Sequence, residues 1–343
     1  MLAMGQDMEQ LTFSYLAHKG DFAMLQLVNL SNDPTDTEGL LGGSQERLQN
    51  FLQAHHLDGI EFMCCGSWDR SFHTPEMIRG FHLWFWPSWL DFWRGNEEAL
   101  RKEYGSLSTV EAVFGTSPEA WLNSWQRNFQ QAAECGAEYV VFHVAQARSS
   151  EARCRQFAYD SAQVIEAVLE FINNLTLCLP EDIPLLYENL WWPGMTLLEP
   201  ALARELLMGT NHACGLMLDT GHLMNTNVHL QNEQQGIDYI LQVVAKLGDL
   251  ADKIYGIHLH QSLSGRFTEE QRQRHPVPED NISSGELMNY VLDVDRHQPF
   301  GTGAVKKIVA EIKPQWLVHE FVPKNFADWQ AKLTKQQRAL SFY

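Results

Sequence analysis

Eight short apolar runs alternate with longer amphipathic stretches along this chain, which predicts an α/β fold whose parallel strands close into a (β/α)8 (TIM) barrel. Two observations favour closure over an open doubly wound sheet. The runs number eight, and no Gly-x-Gly-x-x-Gly follows the first of them. The runs are also apolar almost throughout, as strands covered on both faces are. A chain of 343 residues without a low-complexity linker then reads as one barrel domain spanning residues 1–343.

Strands are expected at Leu11–Leu16, Gly59–Met63, Gly80–Phe85, Tyr139–Val144, Ile183–Tyr187, Leu216–Leu218, Ile254–Leu259 and Trp316–Val318. Helical periodicity lies between them, at Gln45–His55, Pro118–Cys135, Glu151–Asn173, Leu197–Met208, Gly236–Leu247, Ala304–Ile312 and Phe326–Leu340. Ser117-Pro118 is a helix start, and Gly136 and Gly248 are stops. Two connections are long. Trp86–Ser117 follows strand 3 within an aromatic-dense stretch that carries Trp84, Trp86, Trp89 and Trp93. Gln261–Gly303 follows strand 7 and is polar, with Arg266, Arg272, Arg274 and His275. Loops of this length are usually lids or binding walls.

Composition narrows the classes. Hydrophobic residues make up 45% and charged residues 20%, the balance of a globular protein with a large core, so disorder and repeat arrays are set aside. Lys and Arg number 25 against 43 Asp and Glu, a net charge of −18 that repels a polyanion and disfavours DNA as partner. No apolar run reaches the roughly 18 residues that span a bilayer. The opening Met-Leu-Ala-Met-Gly-Gln-Asp-Met lacks the basic and apolar regions of a secretion signal. Six cysteines without a CxxC pair make neither a disulfide framework nor a thiolate zinc site, and Cys64-Cys65 is expected to pack in a strand. The expected compartment is the cytoplasm, with no membrane partner.

The strand ends carry the chemistry. His82 lies in strand 3, His143 ends strand 4, and Glu188 ends strand 5 before Asn189. Asp219 ends strand 6 in Leu218-Asp219-Thr220-Gly221-His222, His258 and His260 end strand 7, and Glu320 ends strand 8. A barrel brings all strand C-termini to one mouth, so these side chains should meet there. Taken singly, each has a bland reading: a satisfied core histidine, or a carboxylate capping the next helix. Taken together they do not, because buried carboxylates without partners are costly. Histidines and carboxylates converging without cysteine suit divalent Zn, Mn, Co or Fe.

These motifs resemble the xylose-isomerase-like barrel superfamily, which holds sugar isomerases and epimerases and the endonuclease IV (AP endonuclease 2) family. The likeness runs from about Leu11 to Phe321 and rests on Tyr187-Glu188-Asn189, Leu218-Asp219-Thr220-Gly221-His222, Ile257-His258-Leu259-His260 and Glu320. Asp295-Arg296-His297-Gln298-Pro299-Phe300-Gly301-Thr302-Gly303 further resembles the Asp-x-His-x-x-x-Gly-x-Gly segment of endonuclease IV. The resemblance implies three ions. His82, His143 and Glu188 would hold the first. Glu188, Asp219, His258 and Glu320 would hold the second, and His222, Asp295 and His297 the third. The single-metal sugar epimerases resemble only part of this set, and His143 with the Asp295–His297 pair tilts the likeness toward endonuclease IV.

The chain also departs from endonuclease IV. His143 is followed by Val144-Ala145 rather than Pro-Gly, and tryptophans follow His82 where that family has a polar loop. The insertion before Asp295 is longer, and the surface is acidic. The leading expectation is therefore a metal-dependent phosphoester hydrolase, with zinc the first choice of ion and Mn or Co the alternatives. Its substrate would be a small molecule, bulky and nucleotide-like or a cobamide-type phosphodiester, rather than DNA. Glu188 and Glu320 would orient the attacking water, with His260 or His319 as proton carriers. Trp84, Trp86, Trp191 and Trp192 would either stack on a planar ligand or pack as the core of a lid. The alternative is a sugar isomerase or epimerase, with one Mn or Co ion and proton transfer by Glu188 and Glu320.

Overall fold

The computed structural model describes residues 23–280 and 282–341. Eight parallel strands close a barrel in sequential order. They are β1 (Leu25–Ser31), β2 (Gly59–Met63), β3 (Ile78–His82), β4 (Tyr139–His143), β5 (Leu185–Glu188), β6 (Cys214–Asp219), β7 (Ile254–Leu259) and β8 (Trp316–His319). The outer helices include α1 (Gln45–Ala54), then α2 (Leu90–Trp93), α3 (Glu97–Tyr104), α4 (Leu107–Phe114) and α5 (Pro118–Cys135) between β3 and β4. After β4 come α6 (Ser149–Ala152) and α7 (Ser161–Leu175), then α8 (Pro200–Gly209), α9 (Thr220–Asn225) and α10 (Glu233–Leu247). The last are α11 (Gly265–Arg274), α12 (Ser284–Val294), α13 (Lys306–Ile312) and α14 (Phe326–Leu340).

The expected strand at Leu11–Leu16 lies outside the described residues, and the barrel's first strand is Leu25–Ser31. Gln26 and Asn29 interrupt its apolar pattern because both tie β1 to the closing strand. His319 Nε2 is 3.1 Å from Gln26 Oε1, and Asn29 exchanges two hydrogen bonds with the Phe321 backbone at 3.0 and 3.2 Å. Trp86–Ser117 is largely helical rather than open loop, and its caps show why: Asn96 accepts from Ala99 N and Ser106 from Thr109 N. Gln261–Gly303 likewise contains α11 and α12, the latter opened by a reciprocal Ser283–Glu286 capping box. The expected helix Glu151–Asn173 is split into α6 and α7. Arg155 takes a left-handed φ of 57° between them, and Asp160 starts the second helix by accepting from Gln163 N.

Strands and helices bury one extended apolar layer between them, and a smaller cluster fills the barrel itself: Leu27, Tyr139, Val141, Leu186, Met217, Tyr255, Trp316 and Val318. Gly80 is required by this filling. A Cβ there would lie 2.3 Å from Cζ of Tyr139, whose ring crosses the strand. Among the described residues, no helix is long and apolar enough to cross a membrane.

His73 gives the fold a pH dependence. It is buried, its ring lies 4.8 Å from Phe62 and 4.7 Å from Phe72, and neither ring nitrogen has a hydrogen-bond partner. Burial pushes its pKa down to about 4 from 6.5, against the pull of Asp69. The unfolded chain therefore takes up this proton first on acidification. The penalty is absent above about pH 6.5 and grows as pH falls toward 4. Melting temperature measured from pH 7 to 4.5 should fall less steeply in His73→Leu than in the wild type; parallel curves would show that His73 does not contribute.

Candidate metal centre

Strand register brings the candidate residues into one mouth. His143 lies opposite Glu188 across β4–β5, and Asp219 opposite His258 across β6–β7. Glu188 is the junction. Its Oε2 is 3.3 Å from His82 Nε2 and 2.9 Å from His143 Nε2; its Oε1 is 3.1 Å from His222 Nδ1 and 3.3 Å from His258 Nδ1. Glu320 Oε2 approaches the same His258 Nδ1 at 3.2 Å. Asp295 Oδ2 sits between His222 Nε2 at 3.1 Å and His297 Nε2 at 3.3 Å. All the expected ligand types thus converge, and nearly all are buried.

The ligand atoms of His82, His143 and Glu188 lie within 4.8 Å of one another, and so do those of Glu188, Asp219, His258 and Glu320. These match the first two expected sets. The third expected set, His222, Asp295 and His297, does not form one such group among the described residues; His260 takes Asp295's place, forming one group with Asp219 and His222 and another with His297 and Glu320. Its Nε2 is 2.9 Å from Asp219 Oδ2, and its ring stacks on His297 at 4.3 Å. His319, the other expected proton carrier, stands apart between β8 and α14. Gln26 and Gln336 hold both its ring nitrogens, and burial takes its pKa down to about 3.

Local backbone chemistry explains the arrangement. Asp219 caps α9 by accepting from His222 N, which turns the chain at the strand end and aims His222 back at the mouth. Gly221 makes room for the neighbouring strand, since a Cβ there would lie 2.0 Å from His260 Cε1. His297 holds a left-handed φ of 44°, an uncommon conformation for a residue with a side chain, and its Nδ1 contacts the Asp295 carbonyl at 3.0 Å. Ser262 Oγ donates to Asp295 Oδ1, fixing that carboxylate.

The electrostatics are those of buried anions seeking cations. Burial disfavours charge on Glu188, yet His143 and His258 hold its carboxyl well below the usual range; His258 and His297 do the same for Glu320. Burial also opposes charge on His297, and Asp295 and Glu320 overcome it, lifting the imidazole to about 9. Several buried atoms still lack any hydrogen-bond partner: His143 Nδ1, Glu188 Oε1, His258 Nδ1, His260 Nδ1 and Glu320 Oε2. Three of them meet at His258, whose Nδ1 lies 3.3 Å from Glu188 Oε1 and 3.2 Å from Glu320 Oε2. Orphaned nitrogen and oxygen acceptors in mutual contact are what a bound cation satisfies, and the donor set suits a transition ion.

The aromatic residues divide. Trp191 lies against the centre, 5.0 Å from the His222 ring, with Trp192 beside it at 5.0 Å. Phe85 bridges from Trp192 to His143. Trp84 and Trp86, both half-buried, and Trp89 line a nest with Trp121, Trp125 and Phe171 that adjoins Phe85 and His143 and leaves a cavity of only about 10 Å³, roughly one water. Trp93 packs on Phe171 and donates to Glu170.

One buried carboxylate, Glu61, has no counterpart among the expected site residues. It accepts from Tyr139 Oη at 2.7 Å, and its Oε1 lies 2.9 Å from His258 Nε2. A charged residue in the otherwise apolar run Gly59-Ile60-Glu61-Phe62-Met63 was the available signal.

Fold and mouth together define a (β/α)8 barrel lined by histidines and carboxylates at its C-terminal face. The sequence profile described as xylose isomerase-like TIM barrel matches residues 58–340, and the chain belongs to that family. Among solved structures, endonuclease IV from Thermus thermophilus is similar at 16% identity and a TM-score of 0.49, covering 92% of this chain and 98% of that one. The AsfvAP:AG crystal structure is similar at 10% identity and a TM-score of 0.53, covering 93% and 100%. A D-psicose 3-epimerase crystallised with D-fructose is similar at 12% identity and a TM-score of 0.45, covering 92% and 97%. At these identities the likeness concerns the fold. No curated protein matches the chain significantly.

Proposed function

We propose that this protein is a metal-dependent phosphoester hydrolase with a multinuclear centre, acting on a bulky, nucleotide-like or cobamide-type phosphodiester rather than DNA. The observation that carries this reading is the continuity of ligand groups through shared carboxylates. Glu188 belongs to two groups and Glu320 to two, so one mouth offers more donors than a single ion uses. His82, His143, Glu188, Asp219, His222, His258, Asp295, His297 and Glu320 would hold the ions, zinc being favoured by the histidine content and manganese or cobalt the alternatives. Such ions supply positive charge to phosphate oxygens and a water acidified to near neutrality.

The chain's own groups do the rest. Glu188 and Glu320 lie on either side of His258 and would orient the attacking water beside the ions they hold. His260, held on Asp219 and stacked on His297, is the candidate to carry a proton to the leaving oxygen. Trp191 and Trp192, buried beside the His222 ring, would wall the centre from water, and a planar group would stack on Trp191 only where it displaces part of that packing, at ~1–3 kcal/mol per stacked ring.

The four-residue group Glu188, Asp219, His258 and Glu320 is also a complete single-metal set, and this favours sugar isomerisation as the second reading. Assays of the metal-loaded protein separate the two. Hydrolysis of an aryl phosphodiester and of a nucleotide-like diester is expected. Trp191→Ala should raise KM about 10-fold or more for the bulky substrate and little for the small one. Trp86→Ala should lower stability instead. Epimerisation of ketoses without diester cleavage would overturn the hydrolase reading.

A further inference from the structure

We propose that Glu61, supported by Tyr139, is a positioning residue that holds the His258 ring so that Nδ1 faces the metal centre. This inference rests on the reading of the mouth as a metal centre. Glu61 lies in the barrel interior beneath the mouth, only 2% exposed, and both of its oxygens contact His258 Nε2, at 2.9 and 3.1 Å. These contacts engage Nε2 and leave Nδ1 as the ring nitrogen turned to the mouth. Nδ1 lies between Glu320 Oε2 at 3.2 Å and Glu188 Oε1 at 3.3 Å. As a neutral ligand His258 would join these two oxygens around one cation.

The surroundings are built for this contact. Tyr139 reaches Glu61 by crossing β3 at Gly80, where a Cβ would collide with the ring hydroxyl at 2.4 Å. The same ring packs on Trp316 at 4.4 Å, which fixes the hydroxyl and with it the carboxylate. A buried ion pair kept only for stability would be poorly chosen, since apolar residues of equal volume usually serve as well. Orienting a ligating histidine through its second nitrogen is the use such carboxylates have at metal sites.

The test is competitive titration of Zn²⁺ and Co²⁺ against a chelator, with the visible spectrum of the Co²⁺ form as a second readout. Glu61→Gln should bind one ion about 10–100-fold more weakly, with an altered Co²⁺ spectrum, while the remaining ions and the circular dichroism stay unchanged. Tyr139→Phe, which keeps the ring packing, should shift the same ion in the same direction by less. Wild-type affinity and spectrum in Glu61→Gln would overturn the inference alone. Should Glu61→Gln fail to fold, unchanged affinity in Tyr139→Phe would overturn it. A wild-type chain that takes up no ion would overturn the metal centre and this inference together.

Discussion

Glu188→Gln is expected to leave the barrel folded, reduce bound metal to at most one ion per chain and abolish turnover. The glutamine keeps the shape of a side chain whose two oxygens reach His82, His143, His222 and His258 at 2.9–3.3 Å. It loses the anion that joins the first two ligand groups, and its amide would direct a donor at nitrogens that must themselves face a cation. Losing that charge removes several kcal/mol of transition-state stabilisation, or about 10³-fold in rate at ~4 kcal/mol. Glu320→Gln should behave alike, through the second group. Elemental analysis beside a turnover assay checks both variants. Wild-type turnover in either would remove that glutamate from the mechanism.

Gly221→Ala should be the most damaging single methyl addition near the site. Helix propensity alone would make alanine the better residue in α9 by ~1 kcal/mol. The new Cβ would nevertheless sit 2.0 Å from His260 Cε1 and 2.3 Å from its Nδ1. His260 cannot retreat freely, because His297 stacks on its ring and Asp219 holds its Nε2. Overpacking of this kind costs about 1–3 kcal/mol, which more than offsets the propensity gain, and it displaces a histidine from the centre. Denaturant unfolding should show the loss, with reduced metal content. A variant as stable as wild type with full metal content would show that His260 is free to move.

Why so much of this was legible in the sequence follows from the barrel itself. Parallel strands buried on both faces are written as apolar runs, so a polar residue at a run's end is conspicuous, and closure gathers those ends. His143, Glu188, Asp219, His258 and Glu320 were readable for that reason. Strand β1 was not, because Gln26 and Asn29 are bonded to β8 and the residues just beyond it, and break the apolar pattern. The helices α2, α3 and α4 were hidden by their shortness, although Asn96 and Ser106 mark two of the starts. Glu61 went unread because it sits in the middle of a strand, and only the fold shows that His258 from β7 meets it inside the barrel. The tryptophans carried no positional signal. Only packing shows that Trp191 lies against His222 while Trp84 and Trp86 share a nest with His143.

The number of transition ions per chain tests the centre most directly. It is best measured by elemental analysis of protein purified without added metal, alongside His143→Ala and His297→Ala. Two or three ions are expected in the wild type, with one fewer in each variant, because His143 and His297 belong to different ligand groups. A single ion per chain, unchanged in both variants, would contradict the multinuclear centre and leave the two-glutamate sugar chemistry as the better account.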